Sequence, residues 1–273
     1  MNFLFWNIRK NKEVFNIIRE LVYTEDVDIL MLAEYPDCPA EELLNIINSR
    51  PTLYKYEYHQ KQTQSDKVEI FTRFSADLIS PLKDTKRISA KEITSPLLNG
   101  KITIVTCHFP SKVNMNNDEL SEFASDAKEF IDEVEKQTGH KRTIICGDFN
   151  MNPFDNGIIK TKGLHAIMDR SIAQNRKKAT VRGREYLYLY NPMWGLLGNS
   201  EIHGTMYYNS SDSLNYYWHI YDQVLIRPDL IDYFNIDSLK IITKANKNNL
   251  LTSNGLLNKK YSDHLPIKFN FKI

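Results

Sequence analysis

The sequence predicts a layered α/β or α+β fold, and two observations carry that reading. Short apolar runs alternate along the chain with stretches whose apolar residues recur at helical spacing. Apolar runs also stand near both ends, which favours one domain, 1–273, closed by its termini. A chain of this length buries roughly 70–75% of the surface its unfolded form exposes, enough for a sizeable core.

The elements follow in order. Phe3, Leu4, Phe5 and Trp6 read as a short buried strand. Val14, Ile17, Ile18, Leu21 and Val22 then recur at i, i+3, i+4, i+7 and i+8, the pattern of an amphipathic helix. Residues 29–32 form the next strand, and Leu43, Leu44, Ile46 and Ile47 a second helical stripe with Pro39 near its start. Tyr54, Tyr56 and Tyr58 alternate with polar residues, and Ile102, Ile104 and Cys107 mark another strand. A longer helix carries Leu120, Phe123, Ala127, Phe130, Ile131 and Val134, with an acidic outer face. Residues 143–146 form a buried strand that runs straight into Gly147-Asp148-Phe149-Asn150. The last third offers strands near 216–226, 234–242 and 266–272. Residues 171–215 have the weakest periodicity and read as a long, partly irregular insertion.

Composition narrows the class. The chain is 42% hydrophobic, 25% charged and 11% aromatic, which excludes a disordered chain, a collagen or a disulfide-stapled mini-protein. Lys+Arg 35 against Asp+Glu 34 leaves a net charge of +1, so any nucleic-acid partner must be drawn by local patches. Cys38, Cys107 and Cys146 share no metal-ligand spacing and cannot all pair. They fit a reducing compartment, so the expected location is the cytoplasm. The first residues lack a basic stretch followed by a long apolar one, so no secretory signal is expected. No run of about 18 apolar residues exists, so no membrane span is expected.

The polar residues that carry chemistry stand where strands end. Asn7 follows the first strand, Glu34 the second, His108 the strand of residues 101–107, and Asp148 and Asn150 that of residues 143–146. Asp222 lies within the 216–226 strand, and Asp263-His264 precede the last one. Side chains at strand ends are rigidly placed and still reach a cleft. Three aspartates, one glutamate and two asparagines without a cysteine are hard oxygen donors of the kind that hold Mg²⁺ or Mn²⁺, not zinc. Two histidines add groups that titrate near neutrality. Asp148 and Asn150, two apart on an extended segment, point the same way.

Taken in order from Asn7 to His264, this set resembles the endonuclease/exonuclease/phosphatase superfamily, the deoxyribonuclease I-like proteins. The resemblance covers nearly the whole chain. It implies a four-layered α/β sandwich, two mixed sheets packed face to face with helices outside. It also implies roles, residue by residue. Glu34 matches the principal metal-binding glutamate, Asn7 the asparagine beside it, and Asp263 a further acidic residue at the metal. Asp148 and Asn150 match the pair that orients the attacking water or stabilises the transition state. His264 matches the central catalytic histidine, Asp222 the aspartate that orients it, and His108 a phosphate-contacting histidine. Whether Asp148 or His264 is the general base stays open.

Phosphodiester hydrolysis needs an oriented water, a charge clamp on the phosphoryl oxygens and help for the leaving alkoxide, and these residues supply all three. The expected function is therefore a Mg²⁺- or Mn²⁺-dependent phosphodiesterase, foremost a nuclease acting on DNA or RNA. A phosphoesterase for a small molecule or a lipid head group is the alternative, and a catalytically silent binding module a third reading. Arg9, Ser111 and Lys112 are expected to grip phosphate. So are Arg176, Lys177, Lys178, Arg182 and Arg184, which crowd a stretch rich in tyrosine and tryptophan. The sequence implies no protein partner.

Overall fold

The computed structural model describes residues 1–51, 54–59, 67–95, 100–199, 201–211 and 213–273. The first half runs β1 (Asn2–Asn7), α1 (Phe15–Thr24), β2 (Ile29–Ala33), α2 (Ala40–Ile47), β3 (Glu57–Tyr58), β4 (Val68–Thr72), β5 (Ile79–Asp84), β6 (Ile88–Ser95), β7 (Gly100–His108) and α3 (Asn117–Thr138). Then come β8 (Thr143–Asp148), α4 (Asn156–Ile159), β9 (Ala166–Ile167), α5 (Arg170–Arg176), β10 (Lys178–Val181), β11 (Arg184–Leu187) and β12 (Leu189–Tyr190). The chain ends with β13 (Met206–Tyr207), β14 (Trp218–His219), β15 (Asp222–Ile226), β16 (Phe234–Ile241), β17 (Lys244–Ala245), β18 (Asn248–Asn249) and β19 (Ile267–Phe271).

Among the described residues two large mixed sheets dominate. One has six strands in the order β16-β19-β1-β2-β4-β3, and the other seven in the order β5-β6-β7-β8-β15-β12-β9. The expected layered fold is the one observed. One apolar core lies between the sheets: Ile102, Ile104, Ile144, Cys146, Val224 and Ile226 from the second sheet join Phe3, Phe5, Phe269 and Phe271 from the first. Phe3 stacks on Phe269 with ring centroids 5.0 Å apart, and Phe234 meets Tyr190 of the facing sheet at 6.5 Å. The intervening residues Val105, Cys107, Ile145 and Leu225 point the other way, into a second core beneath α3. The strict alternation is the period of two that any strand imposes.

The helices form for local reasons that the pattern carries. In α1 the apolar stripe Ile17, Ile18, Leu21 and Val22 is buried, as its spacing requires. In α3 the Asn116 side chain accepts from the Asp118 and Glu119 amides, Glu119 returns the bond to Asn116, and Gly139 ends the helix at φ 74°. Pro39 stands at the N-cap of α2. None of the three cysteines is in a disulfide, and Cys107 and Cys146 are buried among apolar neighbours. No helix among the described residues is long and apolar enough to cross a membrane.

The strands β4, β5, β6, β9, β17 and β18 escaped the pattern, while the tyrosine alternation yields only the two-residue β3. The stretch 171–215, of which residues 200 and 212 lie outside the description, is more regular than expected. It holds most of α5, the β10-β11 hairpin, and β12, which is a full member of the seven-stranded sheet.

One buried ion pair fixes α3 to that sheet. Arg227, directly after β15, donates from Nε to Glu135 Oε1 at 2.8 Å and from Nη1 to the Tyr188 carbonyl at 3.1 Å. Both side chains are almost wholly buried, and Lys141 adds a third contact to Glu135 at 3.1 Å. Removing one partner strands the other charge in a poor solvent. Arg227→Ala should therefore lower the unfolding free energy by about 3–5 kcal/mol in a urea titration. A loss under about 1 kcal/mol, the ordinary surface range, would show that the pair does not hold the helix.

Candidate active site

Where the inner face of each strand runs out of apolar residues, it turns polar. On β8 the inward series is Ile144, Cys146, Asp148; on β7 it is Ile104, Thr106, His108; on β15, running the other way, it is Ile226, Val224, Asp222. Register aligns the three ends, since Asp148 pairs with His108 on one side and with Asp222 on the other. From the facing sheet, β1 ends its inward series Phe3, Phe5 with Asn7, and Glu34 follows β2. All five groups thus meet at one end of the sandwich. Gly147 lets β8 lie against β7 there, since a Cβ on it would sit 2.1 Å from the Cys107 carbonyl oxygen.

Asn7 is the junction between the sheets. Its side-chain nitrogen donates to Glu34 Oε1 at 3.2 Å and to Asp148 Oδ2 at 3.0 Å. The Arg9 amide donates to its Oδ1 at 3.0 Å, which fixes the orientation of the amide group. Asn7 therefore presents N–H groups, not oxygen, to the two carboxylates. Glu34 and Asn150 take left-handed backbone, φ 48° and 50°. For Glu34 this costs about 1 kcal/mol, spent in turning the carboxylate into the cleft.

His264 enters from the loop before β19. Its Nδ1 donates to Asp222 Oδ2 at 2.8 Å, which leaves Nε2 facing Asp148 Oδ2 at 3.8 Å. Three contacts set its place: Trp6 Nε1 donates to its carbonyl at 2.9 Å, its amide donates to Ser262 Oγ at 3.1 Å, and Ser262 Oγ donates to the Asn7 carbonyl at 2.7 Å. Burial disfavours the charged imidazole, but the carboxylates of Asp222 and Asp148 outweigh it and raise His264 to about 10. Burial also pushes Asp222 up. With the proton on the imidazole, the carboxylate remains the charged partner.

His108 Nε2 lies 3.5 Å from Glu34 Oε1 and 3.7 Å from Asp148 Oδ2, and its Nδ1 is buried without a partner. Asn150 donates its amide to Asp148 Oδ1 at 2.9 Å and one side-chain hydrogen to the Phe109 carbonyl at 3.1 Å. A ligand atom each from Asp148, Asp222 and His264 lie within 4.8 Å of one another, and Asp222 Oδ1 is an orphaned buried oxygen. Among the described residues no lysine or arginine pairs with Glu34, Asp148 or Asp222. Hard oxygen donors gathered without a fixed cation suit a divalent metal ion.

The other expected residues fall in different places. Asp263 turns to Arg9 at 3.5 Å, on the rim and outside the close donor group. Lys112 pairs with Asp155 at 3.1 Å and lies over the Tyr221 ring at 5.4 Å. With Ser111 and Asn150 they line a pocket of about 540 Å³ beside the cluster, walled by Tyr208, Tyr216 and His219. Burial lowers His219 to about 4, and Asn152 donates to its Nδ1 at 3.1 Å, so the ring is neutral with its hydrogen on Nε2.

Arg176, Lys177, Lys178, Arg182 and Arg184 are not brought to the cluster. Tyr190 of β12 pairs with Ile226, the far end of β15, about 13 Å of strand from the Asp222 row. The β10-β11 hairpin lies beyond that end, and Lys177 pairs with Asp229, which follows β15.

Thr205 has no motif and sits in the weakly periodic stretch, yet its hydroxyl accepts the amides of Tyr221 and Asp222, both at 3.2 Å. Ser262 stands directly before Asp263-His264, and that adjacency is the signal that could have found it.

The His264–Asp222 pair has a pH signature in metal-free protein. A folded-state pKa raised from 6.5 to about 10 stabilises the fold fully below about pH 6.5, and that stabilisation fades as the pH rises towards about 10. The His264 proton resonances should stay those of an imidazolium between about pH 6 and pH 8. Asp222→Asn should move the transition down towards neutrality. An ordinary midpoint near 6.5 in wild-type protein would refute the coupling.

No protein-family model matches the chain, and no curated protein does either. Solved structures do. An endonuclease/exonuclease/phosphatase family protein from Leptotrichia buccalis is 15% identical with a TM-score of 0.59, covering 100% of both chains. A mannosyl-6-phosphatase from Bacteroides thetaiotaomicron is also 15% identical with a TM-score of 0.59, covering 99% of this chain and 98% of its own. An AP endonuclease from Archaeoglobus fulgidus is 13% identical with a TM-score of 0.57, again over 100% of both chains. At these identities the likeness is one of architecture: the chain has the two-sheet sandwich fold of the endonuclease/exonuclease/phosphatase proteins.

Proposed function

We propose that the chain is a phosphodiester hydrolase dependent on Mg²⁺ or Mn²⁺, acting on DNA or RNA. The observation that carries the reading is the meeting of Glu34, Asp148, Asp222 and two histidines at one end of the sandwich, with no lysine or arginine among the described residues paired to the carboxylates. Glu34 is the principal ligand and Asp148 the second. A divalent cation held by Glu34 and Asp148 would supply charge neutralisation for the phosphoryl group and acidify water at the site.

The chain's own groups do the rest. Asn7 ties Glu34 to Asp148, so both carboxylates hold their aim without a ligand. Asp148 accepts from Asn7 and from the Asn150 amide, which holds its carboxylate in place to orient a water. Asp222 occupies Nδ1 of His264, so proton exchange with water or leaving group passes through Nε2. Asn150 retains one side-chain hydrogen for a developing oxyanion. His108, close to both carboxylates, meets a phosphoryl oxygen when protonated.

A second reading rests on the 540 Å³ pocket beside Asn150. Walls of tyrosine with one neutral histidine suit the ring of a small phosphoester better than a duplex. Among the similar structures, one is named for an AP endonuclease and one for a sugar phosphatase, so both substrate classes have precedent on this fold. A lipid head group falls within the same small-ester class.

Hydrolysis of single-stranded DNA, RNA, bis-p-nitrophenyl phosphate and a hexose phosphate, each with Mg²⁺, Mn²⁺ or EDTA, separates these readings. Activity should vanish in EDTA, and Glu34→Gln should lose it at low metal and regain part at high metal. Full activity in excess EDTA would overturn the metal-dependent reading, and turnover of the hexose phosphate alone would favour the small-ester one. If Asp222 acts only through His264, the Asp222→Asn/His264→Ala double variant should be about as slow as His264→Ala alone. Multiplicative losses would mean the two act independently.

A further inference from the structure

A second concavity lies away from the cluster. A pocket of about 690 Å³ lies between the β10-β11 hairpin and residues 160–162, lined by Lys160, Lys162, Arg182, Arg184 and Tyr186. Among the described residues its lining has four cations and no carboxylate. The one acidic residue of the hairpin, Glu185, is on the opposite face, where it pairs across the strands with Lys178 at 2.6 Å. Arg184 and Tyr186, two apart on β11, share the face that lines the pocket. Among the described residues none of the four cations has an ion-pair partner within reach.

A tight turn sets the hairpin's end at the pocket. Val181 pairs with Arg184, and the two residues between them, Arg182 and Gly183, have φ 50° and 75°. That is a tight two-residue hairpin turn, whose first position ordinarily takes asparagine or glycine. An arginine there costs about 1 kcal/mol of backbone strain, at a turn that borders the pocket. In a chain of net charge +1, this concentration is local and not a property of the surface as a whole.

We propose that this pocket is a second phosphate-binding site, distinct from the catalytic cluster, that holds the backbone of a single-stranded nucleic acid. Arginine forks match phosphate oxygens in pairs, lysines add point charge, and the Tyr186 ring offers a face for a base. Because the hairpin lies beyond the end of β15 opposite Asp222, the site grips a long strand without touching the scissile ester. It adds affinity for polymers and leaves small esters unaffected. The choice of nucleic acid over other polyanions rests on the phosphodiesterase reading above; the presence of the site does not.

The test is anisotropy of a labelled 20-mer oligothymidylate with the full chain in EDTA, across a salt series. The comparison is Lys160→Gln/Lys162→Gln/Arg182→Gln/Arg184→Gln, with Arg182→Gln/Arg184→Gln as the second variant should the first melt early. Each lost phosphate contact lowers the slope of log affinity against log salt by about 0.7, so four should flatten it by about 3. Affinity in low salt should fall at least tenfold, with bis-p-nitrophenyl phosphate turnover unchanged. Unchanged affinity and slope in the variants would overturn the proposal. So would polyglutamate binding as tightly as the oligonucleotide, which would mark a site for acidic protein. If wild-type chain hydrolyses no phosphoester yet binds the oligonucleotide through these residues, the catalytic reading fails and this one stands.

Discussion

Everything at the cluster depends on register. A strand alternates its faces every residue, so a slip of one between β7, β8 and β15 would turn His108, Asp148 or Asp222 into the α3 core. The apolar residues that precede each of them inward are what hold the register. The same side chains that build the core between the sheets thus deliver the polar ends to one place. The second requirement is that the facing sheet ends there too. Asn7 meets it, bonding at once to a carboxylate of its own sheet and to one of the other.

The electrostatics follow from that convergence. Buried carboxylates cost several kcal/mol each unless something answers their charge. Here Asn7 and the Asn150 amide answer part of it, and His264 answers more by holding its proton well above the usual range. No lysine or arginine completes the balance among the described residues, and Asp222 Oδ1 is left without a partner. The arrangement is that of a site kept short of positive charge. The cationic pocket at the far end is its complement in sign, with four charges and no carboxylate.

Much of this was legible in the sequence, for stated reasons. Buried runs such as residues 143–146 leading into Gly-Asp-Phe-Asn announce both a strand and what stands at its end. The α1 and α3 stripes are plain because helical spacing over several turns has no other reading. β5 was hidden because most of it is partly exposed and carries a proline and a lysine, so it has neither an apolar run nor clean alternation. Thr205 was hidden because its role is a backbone contact that no side-chain pattern foretells. The basic stretch around Arg182 shows the limit of reading charge without direction. Its density was visible, but only the pairing of Tyr190 with Ile226 tells which end of the sheet it reaches.

Glu34 and Asp148, held by Asn7, should make a cation site before any substrate arrives. Calorimetric titration of the metal-free chain with Mn²⁺ measures this. Wild-type protein should bind one equivalent, and Asn7→Ala, which leaves both carboxylates present but frees their aim, should weaken binding at least tenfold, about 1.4 kcal/mol. Binding undiminished in Asn7→Ala, or none in the wild type, would show that Asn7 does not assemble a cation site there.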